Sequence, residues 1–343
     1  MRFQFYTADL DKVPKLSVDG TVDNSIHFSH WEGNNTPPEL KADTSTEIAL
    51  NLVASPDKIQ FTKGIELVTN NHFDTDGVLS VWTVLTGERA LAHQEILISA
   101  AEAGDFSEFR SEEGVKASIA IQGADQAGGS NDTVSPLARQ LSGGEQEIED
   151  GRCYDLVLPE VERVLTNIDA YEPLWRDGWQ QLVTAIDSFE RGSSSVEEVI
   201  DARLSLIVLS PDIFSSTGFD PMLHGAPYMA ISRYARGHLF LIATPLDGGW
   251  SYQIDYPYYS WAETVVRPRI ARQDLRPLLD HLNQLEPVRT GGWKIDNREM
   301  TSAAKFLDTA GVLATSRLSP DVVAQSLRAQ LLGTPEMSMS GAN

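Results

Sequence analysis

The sequence predicts an α/β protein, a parallel sheet covered by helices with a second α/β or α+β domain. Three observations carry this. Strand-like and helix-like segments alternate through the first 110 residues, the pattern of a parallel sheet under helices. A stretch of Gly, Ser, Asp, Gln and Glu from Gln122 to Gly151 then interrupts the alternation. Apolar segments return beyond it, in a chain of 343 residues with 41% hydrophobic content, enough for about two domains.

The elements follow in order. "KLSVDGT" (15–21) and "SIHFSHW" (25–31) read as short strands that end in polar residues. "DTSTEIALNLVA" reads as a helix, because Thr44 and Glu47 form a capping-box pattern and Ile48, Leu52 and Val53 make an apolar side. "KGIELVTNN" (63–71) is the next strand, and Val78, Val81, Trp82 and Leu85 then recur at helical spacing. "AHQEILISAAEAGDF" (92–106) is a further helix. "GADQAGGSNDTVSP" has almost nothing to bury and reads as a loop, lid or linker. Helical sequence runs from about 155 to 190, and "LSLIVLS" (204–210) is a buried strand. "HLFLIATPLDGGWSYQIDYPYY" reads as two strands joined at Asp247-Gly248-Gly249. Amphipathic stretches near 271–285 and 319–332 close the fold, and no internal repeat is present. The expected division is 1–121 for the first domain and 122–151 for a flexible linker or lid. A second domain that caps the substrate follows at 152–334, with a disordered tail at 335–343.

Charge narrows the function. With 49 acids against 27 Lys and Arg, the formal charge is −22, which would repel long nucleic acid over most of the surface. A small phosphorylated molecule in a local pocket, or a divalent cation drawn to clustered acids, suits this balance. The single Cys153 rules out an internal disulfide framework and a cysteine-rich zinc site, and suits a cytoplasmic location. "MRFQFYTADLDKVPKL" does not read as a signal peptide, and no run approaches the ~20 apolar residues of a membrane span. A homodimer is compatible with this reading.

"VTNNHFDTDGVLSVW" (68–82) is the most informative segment. It places His72, Asp74 and Asp76 where a buried strand turns into a helix, the end at which open α/β sheets bind ligands. Alternate residues of an extended segment share a side. One imidazole and two carboxylates make a partial shell for Mn²⁺, Mg²⁺, Fe²⁺ or Zn²⁺. Asp74 and Asp76 as turn and N-cap residues, with His72 merely ending a strand, is the structural alternative.

"HFDTDGVLSVWTVL" resembles the first motif of the DHH phosphoesterase superfamily, which takes in RecJ-type exonucleases, oligoribonucleases and manganese-dependent pyrophosphatases. The other motifs lie upstream, as in a circular permutation. Asp19 in "LSVDGT" matches the isolated aspartate of the second motif. "IHFSHWEGN" matches the third, with Ser29-His30-Trp31 in place of Asp-His-His. "DTSTEIALNL" matches the helix start that follows, and "LISAAEAGDF" offers Asp105 as a fourth aspartate. The resemblance covers roughly residues 15–110. It implies two divalent ions, usually Mn²⁺ with Mg²⁺ as the alternative, held by Asp19, His30, His72, Asp74, Asp76 and Asp105. His30 and Asp76 are the residues expected to act in catalysis, and His30 serves at the metals or at the phosphate. The loss of the second family histidine leaves a non-catalytic nucleotide- or metal-binding descendant as an alternative.

In the second half, Arg267, Arg269, Arg272 and Arg276 are candidates for binding a phosphate or carboxylate, the last three on one helical face. A solvated face paired with acids is the plainer reading. "YQIDYPYYSWAE" offers aromatic rings for a base, or a hairpin packed on a core. "TGGWKIDNREMTSAAKFLD" places Trp293, Asp296, Arg298 and Ser302 near a predicted helix start, where amides hold anions. His224 reads as a structural loop residue. No Gly-x-Ser-x-Gly elbow, Rossmann fingerprint or Walker loop is present. An enzyme of another class, with its site mainly in 250–300, is the remaining alternative.

Overall fold

The computed structural model describes residues 1–124, 135–215, 226–287, 291–295 and 302–333, and they form a two-unit α/β protein. The first unit gathers described residues of 1–124, 135–180 and 261–269. Its sheet holds β1 (Arg2–Phe3), β2 (Lys15–Val18), β3 (Ser25–Phe28) and β4 (Leu67–Thr69) in the order β1-β4-β2-β3, every pair parallel. Leu16, Val18, Phe28 and Val68 are each 0% exposed, as expected of a parallel sheet buried on both faces.

Nine α-helices of the described residues lie between β3 and the strands of the second unit, two of them before β4. They are α1 (Ser45–Ala54), α2 (Lys58–Thr62), α3 (Thr75–Thr86), α4 (Gln94–Phe106), α5 (Glu112–Gln122), α6 (Pro136–Leu141), α7 (Asp150–Val157), α8 (Val161–Thr166) and α9 (Glu172–Glu190). The capping box predicted from Thr44 and Glu47 is formed at α1. The apolar spacing in α3 buries Val78, Leu79 and Val81 completely, each contributing about 1.5–3 kcal/mol. Within 122–151, the stretch expected to be a linker, Pro136–Leu141 is helical with Leu137 and Ala138 fully buried. Residues 125–134 lie outside the described set. Residues 152–180 and 261–269 belong to this first unit rather than the second.

The second unit is built on β5 (Ser195–Val199), β6 (Leu204–Val208), β7 (Leu239–Leu246), β8 (Gly249–Asp255), β9 (Gly291–Ile295) and β10 (Ser302–Asp308). Their order is β5-β6-β7-β8-β10-β9, with only β6 and β7 parallel. The expected hairpin joins β7 to β8 through Asp247-Gly248, with Gly248 at φ +79°. α10 (Asp212–Ser215), α11 (Tyr228–Tyr234), α12 (Arg276–Leu285) and α13 (Pro320–Leu331) complete the unit.

Two expectations are corrected here. The segment around 302 is strand β10, not a helix start, because Ala304 and Phe306 alternate into the core beside Trp293. Arg269, Arg272 and Arg276 do not share a helical face, because α12 begins only at Arg276, with Pro277 in its first turn. The tyrosine-rich hairpin is largely core, with Tyr252 0% and Tyr256 3% exposed. His224, Asp296 and Arg298, and the tail from 334, lie outside the described residues. No helix among the described residues is long and apolar enough to cross a membrane.

Candidate metal centre

Because β2, β3 and β4 are parallel neighbours, their carboxyl ends share one edge of the sheet. The chain leaves that edge at Asp19, at the loop carrying His30, and at the loop carrying His72 and Asp74. Asp19 sits at φ +55°, a left-handed backbone that aspartate tolerates better than most residues. α3 then brings Asp76 in its first turn, and α4 brings Asp105 near its end.

All six predicted ligands meet there in two overlapping groups. Asp19, His30, Asp76 and Asp105 form one, and Asp19, His72 and Asp74 the other, with the offered ligand atoms of each group within 4.8 Å of one another. His30 Nε2 lies 3.1 Å from Asp105 Oδ2, 3.5 Å from Asp19 Oδ1 and 3.8 Å from Asp76 Oδ2. His72 Nε2 lies 3.1 Å from both Asp19 Oδ2 and Asp74 Oδ2. Asp19 therefore gives one oxygen to each group.

Neighbouring groups fix each side chain. His30 Nδ1 donates to the Asp43 carbonyl at 2.6 Å, which directs Nε2 at the acids. His72 Nδ1 is 3.0 Å from Asn71 Oδ1. The amides of Ser45 and Thr46, at the start of α1, donate to the two oxygens of Asp76 at 2.7 Å each, where the helix end is positive. Ser45 Oγ donates to Asp19 Oδ1 at 2.8 Å. Asp74 Oδ1 accepts from Gly77 N at 2.7 Å and caps α3, so the N-cap reading of Asp74 describes one of its oxygens. Gly77 is needed for space: a Cβ there would lie 2.4 Å from Asn70 Nδ2 and 2.7 Å from Tyr154 Oη.

The electrostatics are those of a cluster that could hold a cation. Among the described residues, the ion pairs of Asp19, Asp74, Asp76 and Asp105 are to His30 and His72 alone. Burial, then the charges of Asp74 and Asp76, push Asp19 and Asp105 well above the usual carboxylate range. Burial also raises Asp76, against the pull of His30 and Thr46. For Asp74 burial is outweighed by the His72 charge and the Gly77 amide, and its carboxyl is held low. Burial disfavours the His72 imidazolium, yet the Asp74 charge and the contacts with Asp19 and Asp74 push it up to about 12. Asp19 Oδ2, His30 Nε2 and His72 Nε2 are buried without a hydrogen bond. Their short approaches are thus contacts between potential ligands rather than satisfied pairs. Buried charge of one sign and unsatisfied donor atoms aimed at a common space are what a bound dication relieves. The residues fit such an ion.

Residues 1–336 match a family of unknown function, DUF6687. The chain belongs to this family. No curated protein matches it. Among solved structures it is similar to a pGpG-specific phosphodiesterase, PggH of Vibrio cholerae, at 10% identity and a TM-score of 0.38, over 94% of this chain and 84% of that one. The likeness is slight, and the site stands on its own geometry.

In this DUF6687 chain the four candidate arginines are dispersed. Arg267 is enclosed by Asp43, Glu102 and Glu108, so its guanidinium is committed to protein carboxylates. Arg269 is largely exposed and 4.0 Å from Glu263. Arg272 lies over the Tyr256 ring at 4.1 Å, and Arg276 pairs with Asp274 at 2.7 Å, both in the second unit. Ser29 is a loop fastener whose Oγ accepts from Trp31 N. Trp31 packs its ring 5.3 Å from that of His72 and 5.1 Å from Trp261. Sequence reasoning assigned no role beside the six ligands to Asp43, Ser45 and Thr46, which it read only as a helix start, or to Trp261, which it read only as one ring of the aromatic run 252–263. For Ser45 and Thr46 a signal existed, since the capping box marks the helix end whose amides face outward; for Trp261, distant in sequence, nothing placed its ring beside His30.

Proposed function

We propose that this DUF6687 chain is a divalent-metal-dependent phosphoesterase acting on a small phosphorylated compound or nucleotide. The observation that carries the reading is the convergence of Asp19, His30, His72, Asp74, Asp76 and Asp105 at one sheet edge. Two ions, Mn²⁺ or Mg²⁺, would be held there, one in each group, with Asp19 common to both. Bound ions supply water activation at neutral pH and stabilise charge that develops on phosphate oxygens.

The chain's own residues set the geometry. Asp43 keeps His30 Nε2 aimed at the acids, and the α1 amides hold Asp76 in one orientation. Trp31, Trp261 and Phe106 give His30 and His72 an apolar flank, which limits water beside them and strengthens local electrostatics. The −22 charge disfavours a long polyanion and favours a small substrate.

A second reading, a binding protein without turnover, is favoured by Ser29 and Trp31 at the third motif. The two separate in one experiment. Metal-stripped full chain is reloaded with Mn²⁺ or Mg²⁺ and offered a panel of phosphomonoesters and phosphodiesters, with products followed by ³¹P NMR. Metal-dependent hydrolysis, reduced at least about a hundredfold in Asp19→Asn, supports the enzyme, since loss of outer partners alone costs ~10–100-fold. Metal binding without hydrolysis of any ester supports the binder.

A further inference from the structure

We propose that Arg267 is a positioning residue, clasping the loop that orients His30 to the helix that carries Asp105. The segment 261–269 belongs to the first unit although the chain on either side of it belongs to the second. It is fastened beside His30 twice. Glu263 N donates to the His30 carbonyl at 2.7 Å, and Val266 N and Arg267 N donate to the Asp43 carboxylate at 2.8 and 3.1 Å. Asp43 is the residue whose carbonyl accepts the hydrogen bond from His30 Nδ1–H.

The Arg267 guanidinium completes the arrangement. Nη1 donates to Asp43 Oδ2 at 2.7 Å, Nη2 to Glu102 Oε1 at 2.8 Å, and Nε to Glu108 Oε1 at 3.1 Å. Glu102 and Glu108 bracket Asp105 along α4 and its end. The guanidinium also lies 4.8 Å from the centre of the Phe106 ring, which is itself 5.6 Å from His30. One planar fork thus joins three carboxylates on two elements, a task that the point charge of lysine cannot reproduce. With the guanidinium gone, three acids would face each other and move apart, carrying the Asp43 carbonyl away from His30.

The proposal rests on the metal-centre reading only for its consequence in metal affinity, so the test reads two quantities. The first is the hydrogen exchange of the His30 Nδ1 proton in the metal-free ¹⁵N-labelled full chain, with the resonance assigned through His30→Gln. This proton is present whether or not Nε2 is protonated. The second is Mn²⁺ affinity by electron paramagnetic resonance. In Arg267→Met and in the milder Arg267→Lys, chosen to keep the charge and the fold, exchange is expected to accelerate at least about tenfold, as local opening does. Mn²⁺ affinity is expected to fall about 10–100-fold. Unchanged exchange in either folded variant overturns the proposal. A wild-type chain that binds no Mn²⁺ overturns the metal-centre reading instead, and the His30 proton then decides the clasp alone.

Discussion

Asp76 shows how one side chain can look structural and functional at once. Its carboxylate takes two amides from α1 and still faces His30 across 3.8 Å. Asp76→Ala is therefore expected to abolish the thermal stabilisation given by Mn²⁺ and also to lower the stability of the metal-free chain. The second effect is about 1–3 kcal/mol, because Ser45 and Thr46 lose their acceptors, and urea unfolding with and without Mn²⁺ separates the two. Gly77→Ala tests the packing behind the same motif. A Cβ would meet Asn70, Tyr154 and Asp74 within 3 Å, so a cost of about 1–3 kcal/mol is expected, as for other overpacked sites; a neutral Tm would contradict it.

At the scale of elements, α1 serves the site through its end rather than its face. Thr44→Ala removes the capping box and is expected to cost about 1 kcal/mol. It should weaken Mn²⁺ binding as well, since the amides that hold Asp76 begin at the next residue. Unchanged affinity in a destabilised Thr44→Ala chain would show that the helix end is not part of the site. Much of this was legible in sequence. The parallel strands ending near 19, 30 and 72 announced themselves by apolar runs that stop at polar residues, and His72-Phe-Asp74-Thr-Asp76-Gly77 marked the edge where they meet. What was not legible depends on long-range placement. Arg267 carries the same charge whether it faces phosphate or Glu108, and only the fold puts Glu102, Glu108 and Asp43 around it. β10 was misread because its alternation needs Trp293 and Tyr252 as packing partners before it means strand. The short β1 at Arg2–Phe3 offers two residues of pattern, too few to read.

For the whole molecule, charge governs behaviour. Negligible affinity for long DNA at physiological salt is expected from −22, and tight, salt-sensitive binding in a filter or anisotropy assay would contradict the small-substrate reading. The pH response follows the same acids. Asp19 and Asp105 have folded pKa values raised above 3.8. Their ionised forms therefore cost stability above those values, and the cost fades as pH falls. Asp43, lowered by the amides of Val265 and Val266 and by Arg267 against the effect of burial, contributes stability that is present above 3.8 and lost as pH falls through its folded value. The metal-free chain should accordingly gain Tm from neutral to mildly acid pH and lose it on further acidification, whereas Mn²⁺ affinity should only fall with acid, as its ligands must be deprotonated. A metal-free Tm that falls steadily from pH 8 to 5 would contradict this balance. The central claim, that the six side chains hold divalent metal, is tested most directly by anomalous diffraction at the manganese edge from crystals of the full chain grown with Mn²⁺. The account predicts peaks about 2.0–2.2 Å from ligand atoms of Asp19, His30, His72, Asp74, Asp76 and Asp105, two of them with Asp19 shared; a map with no peak among these residues would contradict it.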